Sequence, residues 1–257
     1  MSDSRPLPSD PAAPAVLAID VGGTHVKMLL NGSQERRRFA SGPAMTPQAM
    51  AAGVSELLGG WRPTAVSVGV PAMILAGRVV HEPVNLGPGW VGFDFGGAFG
   101  LPTRVVNDAA MQALGSYEGG RMLFLGLGTG LGSAMIVDGI LEPMELGHLP
   151  FRKATYEDYV GQRGLDRLGT KRWRKAVQAT VETLAAALEP EYVVLGGGNA
   201  VRLAELPDGA RLGRNADAFL GGFRLWAERP SGGSALDPGS VPAAVAGDER
   251  VGGVGAP

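Results

Sequence analysis

The chain carries no cysteine among its 257 residues. A disulfide framework and a thiolate metal site are thereby excluded, and a cytoplasmic location is the expectation. Long apolar runs are missing too: no stretch approaches the roughly 18 uninterrupted apolar residues of a membrane span. The first fifteen residues, MSDSRPLPSDPAAPA, are polar and proline-rich, without the basic region and apolar core of a secretory leader. A basic surplus is equally lacking. The net charge of −2 does not provide the electropositive footprint of a duplex nucleic-acid binder. What remains is a globular composition, 45% apolar and 19% charged, long enough for two lobes with a core each.

Glycine is the residue in excess, with 41 copies, about twice the usual share. Some of it lies in residues 228–257, which are rich in Gly, Pro and Ala without apolar periodicity and read as a disordered tail; residues 1–14 read the same way. The rest falls in short clusters at strand ends, where backbone comes close to ligands. The stretch "AIDVGGTHVK" joins a buried strand over 16–20 to a second over 25–30, and a third follows over 35–40. Thr46-Pro47 predicts a helix N-cap and first turn, with the helix ending at 58 before Gly59-Gly60. Strands over 65–70 and 104–106 precede a short helix over 109–117. The pattern then restarts. Strands over 122–127 and 133–137 flank Gly128-Thr129-Gly130, helices follow over 156–168 and 172–188, and a strand over 192–195 ends in Gly196-Gly197-Gly198. A last amphipathic helix spans 216–226. This duplication predicts two related α/β lobes, 15–107 and 108–227, with the last helix able to return to the first lobe.

The two glycine turns suggest phosphate. Gly22 and Gly23 let main-chain N–H groups approach phosphate oxygens, Thr24 adds a hydroxyl, and Lys27 on the outgoing strand is a further phosphate candidate. Asp20 is placed to hold Mg²⁺ through water, because that ion keeps much of its hydration shell. Gly128-Thr129-Gly130, at the corresponding place in the second half, can clamp phosphate from the other side. An ordinary hairpin turn is the alternative for each. Asn107-Asp108 reads either as a helix N-cap or as a cleft carboxylate, with Asp108 the general base for a substrate hydroxyl. Gly196, Gly197 and Gly198 offer flat backbone for a purine, or simply a strand-to-helix turn.

In this order and spacing, DVGGT, ND, GTGLG, ELGH and GGG resemble the ROK family of sugar kinases and repressors, over about residues 15–227. The resemblance implies a two-lobed actin-like ATPase (ribonuclease H-like) fold. It carries the catalytic base over to Asp108, which takes the proton of the sugar 6-hydroxyl beside Asn107. The family's Asn-Leu-x-x-x-Trp stretch matches Asn85, Leu86 and Trp90, with Asn85 near the sugar. Its Glu-x-Gly-His element matches Glu145, Gly147 and His148, expected on the hydroxyls near C1 and C2. A further sugar-binding glutamate falls on Glu157. Spaced carboxylates and amides suit a sugar, whose hydroxyls both donate and accept. A loop ion pair between Glu145 and His148, and a solvated helix position for Glu157, are the plainer alternatives.

Two departures narrow the resemblance. Many members bind structural zinc through a Cys-x-Cys-Gly-x-x-Gly-Cys segment, which a chain without cysteine cannot supply, so no zinc site is expected. Pro71-Ala72 stands where Pro-Gly is more common. Both departures, with ELGHL, resemble the polyphosphate glucokinase branch, whose members use inorganic polyphosphate, often with ATP or GTP as well. Arg152-Lys153 and the run from Lys171 to Lys175 are candidates to support an anionic chain, or are solvated faces. Only about fifteen residues precede the first strand, too few for the helix-turn-helix domain of the family's repressors. The expectation is a Mg²⁺-dependent hexose kinase, in particular a glucokinase, using ATP or polyphosphate and forming a homodimer, with no nucleic-acid or membrane partner. A fructose or N-acetylmannosamine kinase and a non-catalytic sugar sensor are the alternatives.

Overall fold

The computed structural model describes residues 14–214 and 216–227. The two tail readings, Pro14 apart, lie outside the described residues. The first sheet contains β1 (Val16–Val21), β2 (His25–Leu30), β3 (Arg37–Ala40), β4 (Ala65–Val70) and β7 (Thr103–Asn107), in the order β3-β2-β1-β4-β7. A small hairpin, β5 (Ile74–Leu75) and β6 (Arg78–Val79), stands beside it. The second sheet contains β8 (Arg121–Leu127), β9 (Leu131–Val137), β10 (Ile140–Met144), β13 (Tyr192–Gly196) and β14 (Ala210–Leu212), in the order β10-β9-β8-β13-β14. In both sheets the central strand pairs antiparallel with its successor and parallel with a strand reached through helices. The duplication in the sequence is thus a duplication of topology.

Strand alternation assigns each sheet two covered faces. Leu17, Ile19, Val66 and Val68 pack against Met50 and Val54 of α1 (Pro47–Leu57), whose N-cap Thr46 accepts from Ala49 N–H at 3.2 Å. In the second sheet Leu123 and Leu125 pack on Trp173, Val177 and Val181 of α5 (Gln162–Leu188). Met122 and Phe124, on its opposite face, meet Ala109, Ala110 and Ala113 of α3 (Asp108–Ser116). The inner face of the first sheet is covered by α6 (Asp217–Arg224): the Ser67 hydroxyl donates to the Gly222 carbonyl at 2.6 Å. α3 and α6 therefore lie between the sheets, pressed together at Gly115 and Gly221. A Cβ at either glycine would overlap the other helix's main chain.

The helix expected over 156–168 is instead broken. α4 (Tyr156–Val160) ends at Gly161 and α5 starts at Gln162; the kink at Gly169 in α5, with φ 71°, falls in the gap expected between the 156–168 and 172–188 helices. The reason is tertiary: a side chain at Gly161 would sit 2.6 Å from the Thr129 carbonyl oxygen. Strand β10, edge of its sheet, was not anticipated because Pro143 weakens the strand pattern, although an edge tolerates proline. α2 (Phe95–Phe99) and the hairpin of β11 (Pro150–Phe151) and β12 (Ala154–Thr155) also went unforeseen, being too short for periodicity to show.

Candidate active site

α3 begins where the two sheets approach. A Cβ at Gly69, at the end of β4, would lie 3.4 Å from the Asp108 Cα, and one at Gly132 of β9 would lie 2.6 Å from the Ala109 Cβ. In the pair Asn107-Asp108 the capping role falls to the first member. Asn107 is the N-cap: its Oδ1 accepts from Ala109 and Ala110 N–H at 2.9 and 3.1 Å, and its Nδ2 donates to the Ala72 carbonyl at 3.1 Å. One amide hydrogen of Asn107 is left for a ligand. Asp108 is the first helical residue, so its carboxylate is not needed as the cap. Burial pushes the Asp108 carboxyl up to about 6, the negative charge of Asp20 adds to this, the Ala109 N–H at 2.8 Å works against it, and Glu145 raises it further. Three carboxylates from three separate sequence motifs thus share one electrostatic environment.

The first glycine turn closes β1 onto β2, with the Gly22 N–H donating to the His25 carbonyl at 3.0 Å. Asp20 and Lys27 are directly opposite in this register, and Lys27 Nζ lies 3.2 Å from Asp20 Oδ2. Lys27 meets the aspartate in this way while its side chain remains about half exposed. Thr24 is exposed at the tip, its Oγ1 3.3 Å from His25 Nδ1. Asn85 stands against this turn: a Cβ at Gly23 would be 3.5 Å from the Asn85 Cβ.

The second turn, Gly128-Thr129-Gly130, is held from behind. Gln162 N–H donates to both the Gly128 and Thr129 carbonyls, at 2.9 and 3.1 Å. Gly197, at φ 80°, is pressed on the main chain of Leu127, which brings the 196–198 turn alongside, with Gly198 exposed. Asn199, not anticipated from the sequence, ties these pieces together. Its N–H donates to the Leu127 carbonyl at 2.9 Å, and its Nδ2 to the Gly128 carbonyl at 3.3 Å and Gln162 Oε1 at 3.0 Å.

Glu157 faces this second turn, since a Cβ at Gly130 would lie 2.5 Å from its Oε2. It is partly buried and paired with Arg163 at 3.5 Å, so it is not a plainly solvated helix residue. A Cβ at Gly147 would be 3.5 Å from the Glu157 Cβ, which places the Glu145-to-His148 segment beside it. Glu145 and His148 are exposed and form no ion pair with each other; among the described residues neither side chain has a hydrogen-bond partner. Trp90 is fully buried and donates from Nε1 to the Met45 carbonyl at 3.3 Å. The basic run from Lys171 to Lys175 is interrupted by buried Trp173, and Arg174 donates to the Arg202 carbonyl at 2.6 Å. Arg152 lies over the Phe151 ring at 4.9 Å.

Two like-built α/β lobes, with a glycine turn from each and a carboxylate at their junction, make up the two-lobed actin-like ATPase fold. The chain belongs to the ROK family, whose profile matches residues 16–164. It is 28% identical to the polyphosphate glucokinase of Mycobacterium tuberculosis over 203 residues, 70% of this chain and 76% of that one. It is 26% identical to the glucokinase of Pyrobaculum calidifontis over 234 residues, covering 70% and 78% of the two chains. Among solved structures it resembles the inorganic polyphosphate/ATP-glucomannokinase of Arthrobacter sp. strain KM. That match has a TM-score of 0.71 at 29% identity, over 83% of this chain and 98% of the other. No helix among the described residues is long and apolar enough to cross a membrane.

Proposed function

We propose that the chain is a hexose kinase that moves a phosphoryl group from ATP or inorganic polyphosphate to the 6-hydroxyl of glucose. The observation that carries this reading is Asp108, a carboxylate held near pH 6 at the junction of two lobes that each offer a glycine turn. A general base works best when its pKa lies near the working pH, and an ordinary surface aspartate is too weak a base for a sugar hydroxyl. Asp108 accepts the hydroxyl proton as the sugar oxygen bonds to phosphorus, and the bond from phosphorus to the leaving phosphate oxygen breaks. Sugar binding alone would require neither glycine turn, which disfavours a non-catalytic sensor.

Asn85 and Asn107 on one side, and Glu145, His148 and Glu157 on the other, supply the hydrogen-bonding partners for the ring hydroxyls. The turns at Gly22–Thr24 and Gly128–Gly130 give main-chain N–H groups to the donor, with Lys27 beside the first and Gly196–Gly198 beside the second. Among the described residues no three carboxylate or histidine side chains gather to cage a metal, which leaves Asp20, a single carboxylate whose charge reaches Asp108, to meet a Mg²⁺ that arrives with the donor. Asp20 would hold the ion through water, and a bound Mg²⁺ supplies charge neutralisation on the transferring phosphoryl group. Closure of the lobes around the sugar excludes water as the competing acceptor. The relatives named for polyphosphate support that donor alongside ATP.

A coupled assay over glucose, mannose, fructose and N-acetylmannosamine, run with Mg-ATP and with Mg-polyphosphate, tests the reading. Glucose 6-phosphate formation that stops on adding EDTA is expected. Absence of transfer to every sugar with either donor would overturn it.

A further inference from the structure

Asn85 lies on a segment whose conformation depends on a residue outside every motif described so far. Glu82 turns back on its own chain and accepts from three consecutive main-chain N–H groups. Its Oε1 takes Gly89 at 3.1 Å and Val91 at 3.3 Å, and its Oε2 takes Trp90 at 3.0 Å. The segment so closed is pinned underneath by Leu86 and Trp90, both buried, and by the Gly87 N–H donating to the Met45 carbonyl at 3.0 Å. Between the closure and the pins, Val84 is 94% exposed and Asn85 is exposed against the first glycine turn. The Asn85 amide has no hydrogen-bond partner among the described residues, so where it is presented depends on the path of its backbone and its packing at the turn, with no bond of its own to fix it.

We infer that Glu82 is a positioning residue for the acceptor sugar: its carboxylate latches the 82–91 segment and thereby presents Asn85 to the sugar beside the first glycine turn. This rests on the reading of Asn85 as a sugar ligand. The chemistry favours a carboxylate specifically. Three N–H donors converge on two oxygens, and hydrogen bonds to an ionised acceptor are about twice as strong as neutral ones. Burial disfavours the charge, but the bonds from Trp90, Val91 and Gly89 together hold the carboxyl below its ordinary range. Glutamine at this position would keep one acceptor oxygen for Gly89 and Val91 but turn an NH₂ towards the Trp90 N–H, so it replaces the latch only in part. An exposed glutamate that served stability alone would affect sugar and donor kinetics alike.

The test compares wild type, Glu82→Ala, Glu82→Gln and Asn85→Ala by steady-state kinetics and by amide hydrogen exchange at residues 89–91. Glu82→Ala is expected to speed exchange at 89–91 and to raise the sugar KM about tenfold, the worth of roughly one hydrogen bond, with the donor KM unchanged. Glu82→Gln should fall between the two. If Glu82→Ala does not fold, the Gln variant carries the comparison, with a smaller rise in the same sugar KM. Unchanged exchange, or faster exchange with an unchanged sugar KM, would overturn the latch. If Asn85→Ala leaves the sugar KM unchanged, it is the sugar-site reading that fails; the exchange data then still decide whether Glu82 holds the segment, but its role towards the sugar is overturned.

Discussion

At the scale of single residues, neighbouring positions in one dipeptide have taken different work. Asn107 satisfies the first N–H groups of α3, which releases Asp108 from capping and leaves its carboxylate beside Asp20 and Glu145. The price is stability. The folded-state value of about 6 exceeds the reference 3.8, so the folded protein binds the proton more tightly than the unfolded chain. The stabilising contribution is therefore complete below the unfolded value and is lost as pH rises through about 6. By neutral pH the ionised group disfavours the fold by up to about 3 kcal/mol. Asp108→Asn should consequently gain stability relative to wild type as pH rises from about 4 to about 7, a window set by those two values. Denaturant unfolding at several pH values checks this, and parallel curves for the two proteins would contradict it. The motif residues could be read from the sequence because each turn is local, whereas Glu82 could not. Its partners are backbone amides seven to nine positions away, and no side-chain pattern records them.

At the scale of elements, the second lobe joins three turns that lie far apart in the chain. The 128–130 turn, the start of α5 and the turn after β13 meet through Asn199 and Gln162. Asn199 is 7% exposed with its amide bonded on both sides, so truncation removes the side chain that ties the Gly128 carbonyl to Gln162 Oε1 and loosens the second turn. Asn199→Ala should raise the donor KM by roughly tenfold or more, while the sugar KM stays near wild type. Steady-state kinetics with saturating sugar measures this, and an equal effect on both substrates would count against a donor-side role. Most strands and helices were evident from their apolar periods and from caps such as Thr46. The break between α4 and α5 was not, because it is caused by the Thr129 carbonyl pressing on Gly161 and not by anything in the local sequence.

At the scale of the whole molecule, the two sheets are copies of one topology, and α3 and α6 fill the space between them. The repeat of strand, glycine turn and strand made the two lobes readable, because the motif occupies equivalent ends of β1 and β8. The close passage of α3 over α6 was hidden. Gly115 and Gly221 lie more than a hundred residues apart, and a glycine within a helix gives no sign of the backbone it will meet. Through this contact the helix that carries Asp108 is packed on α6, which in turn covers the inner face of the first sheet. Asp108 is therefore placed by the packing of both lobes, and its replacement tests the proposed chemistry apart from folding. The decisive measurement is turnover of Asp108→Asn at neutral pH, with sugar binding by calorimetry and the melting temperature measured on the same sample. Loss of a positioned base is expected to lower turnover by about 10²–10⁴, with sugar affinity little changed and the melting temperature equal to or above wild type. Near-normal turnover in the folded variant would contradict the assignment of Asp108 as the base and, with it, the proposed kinase mechanism.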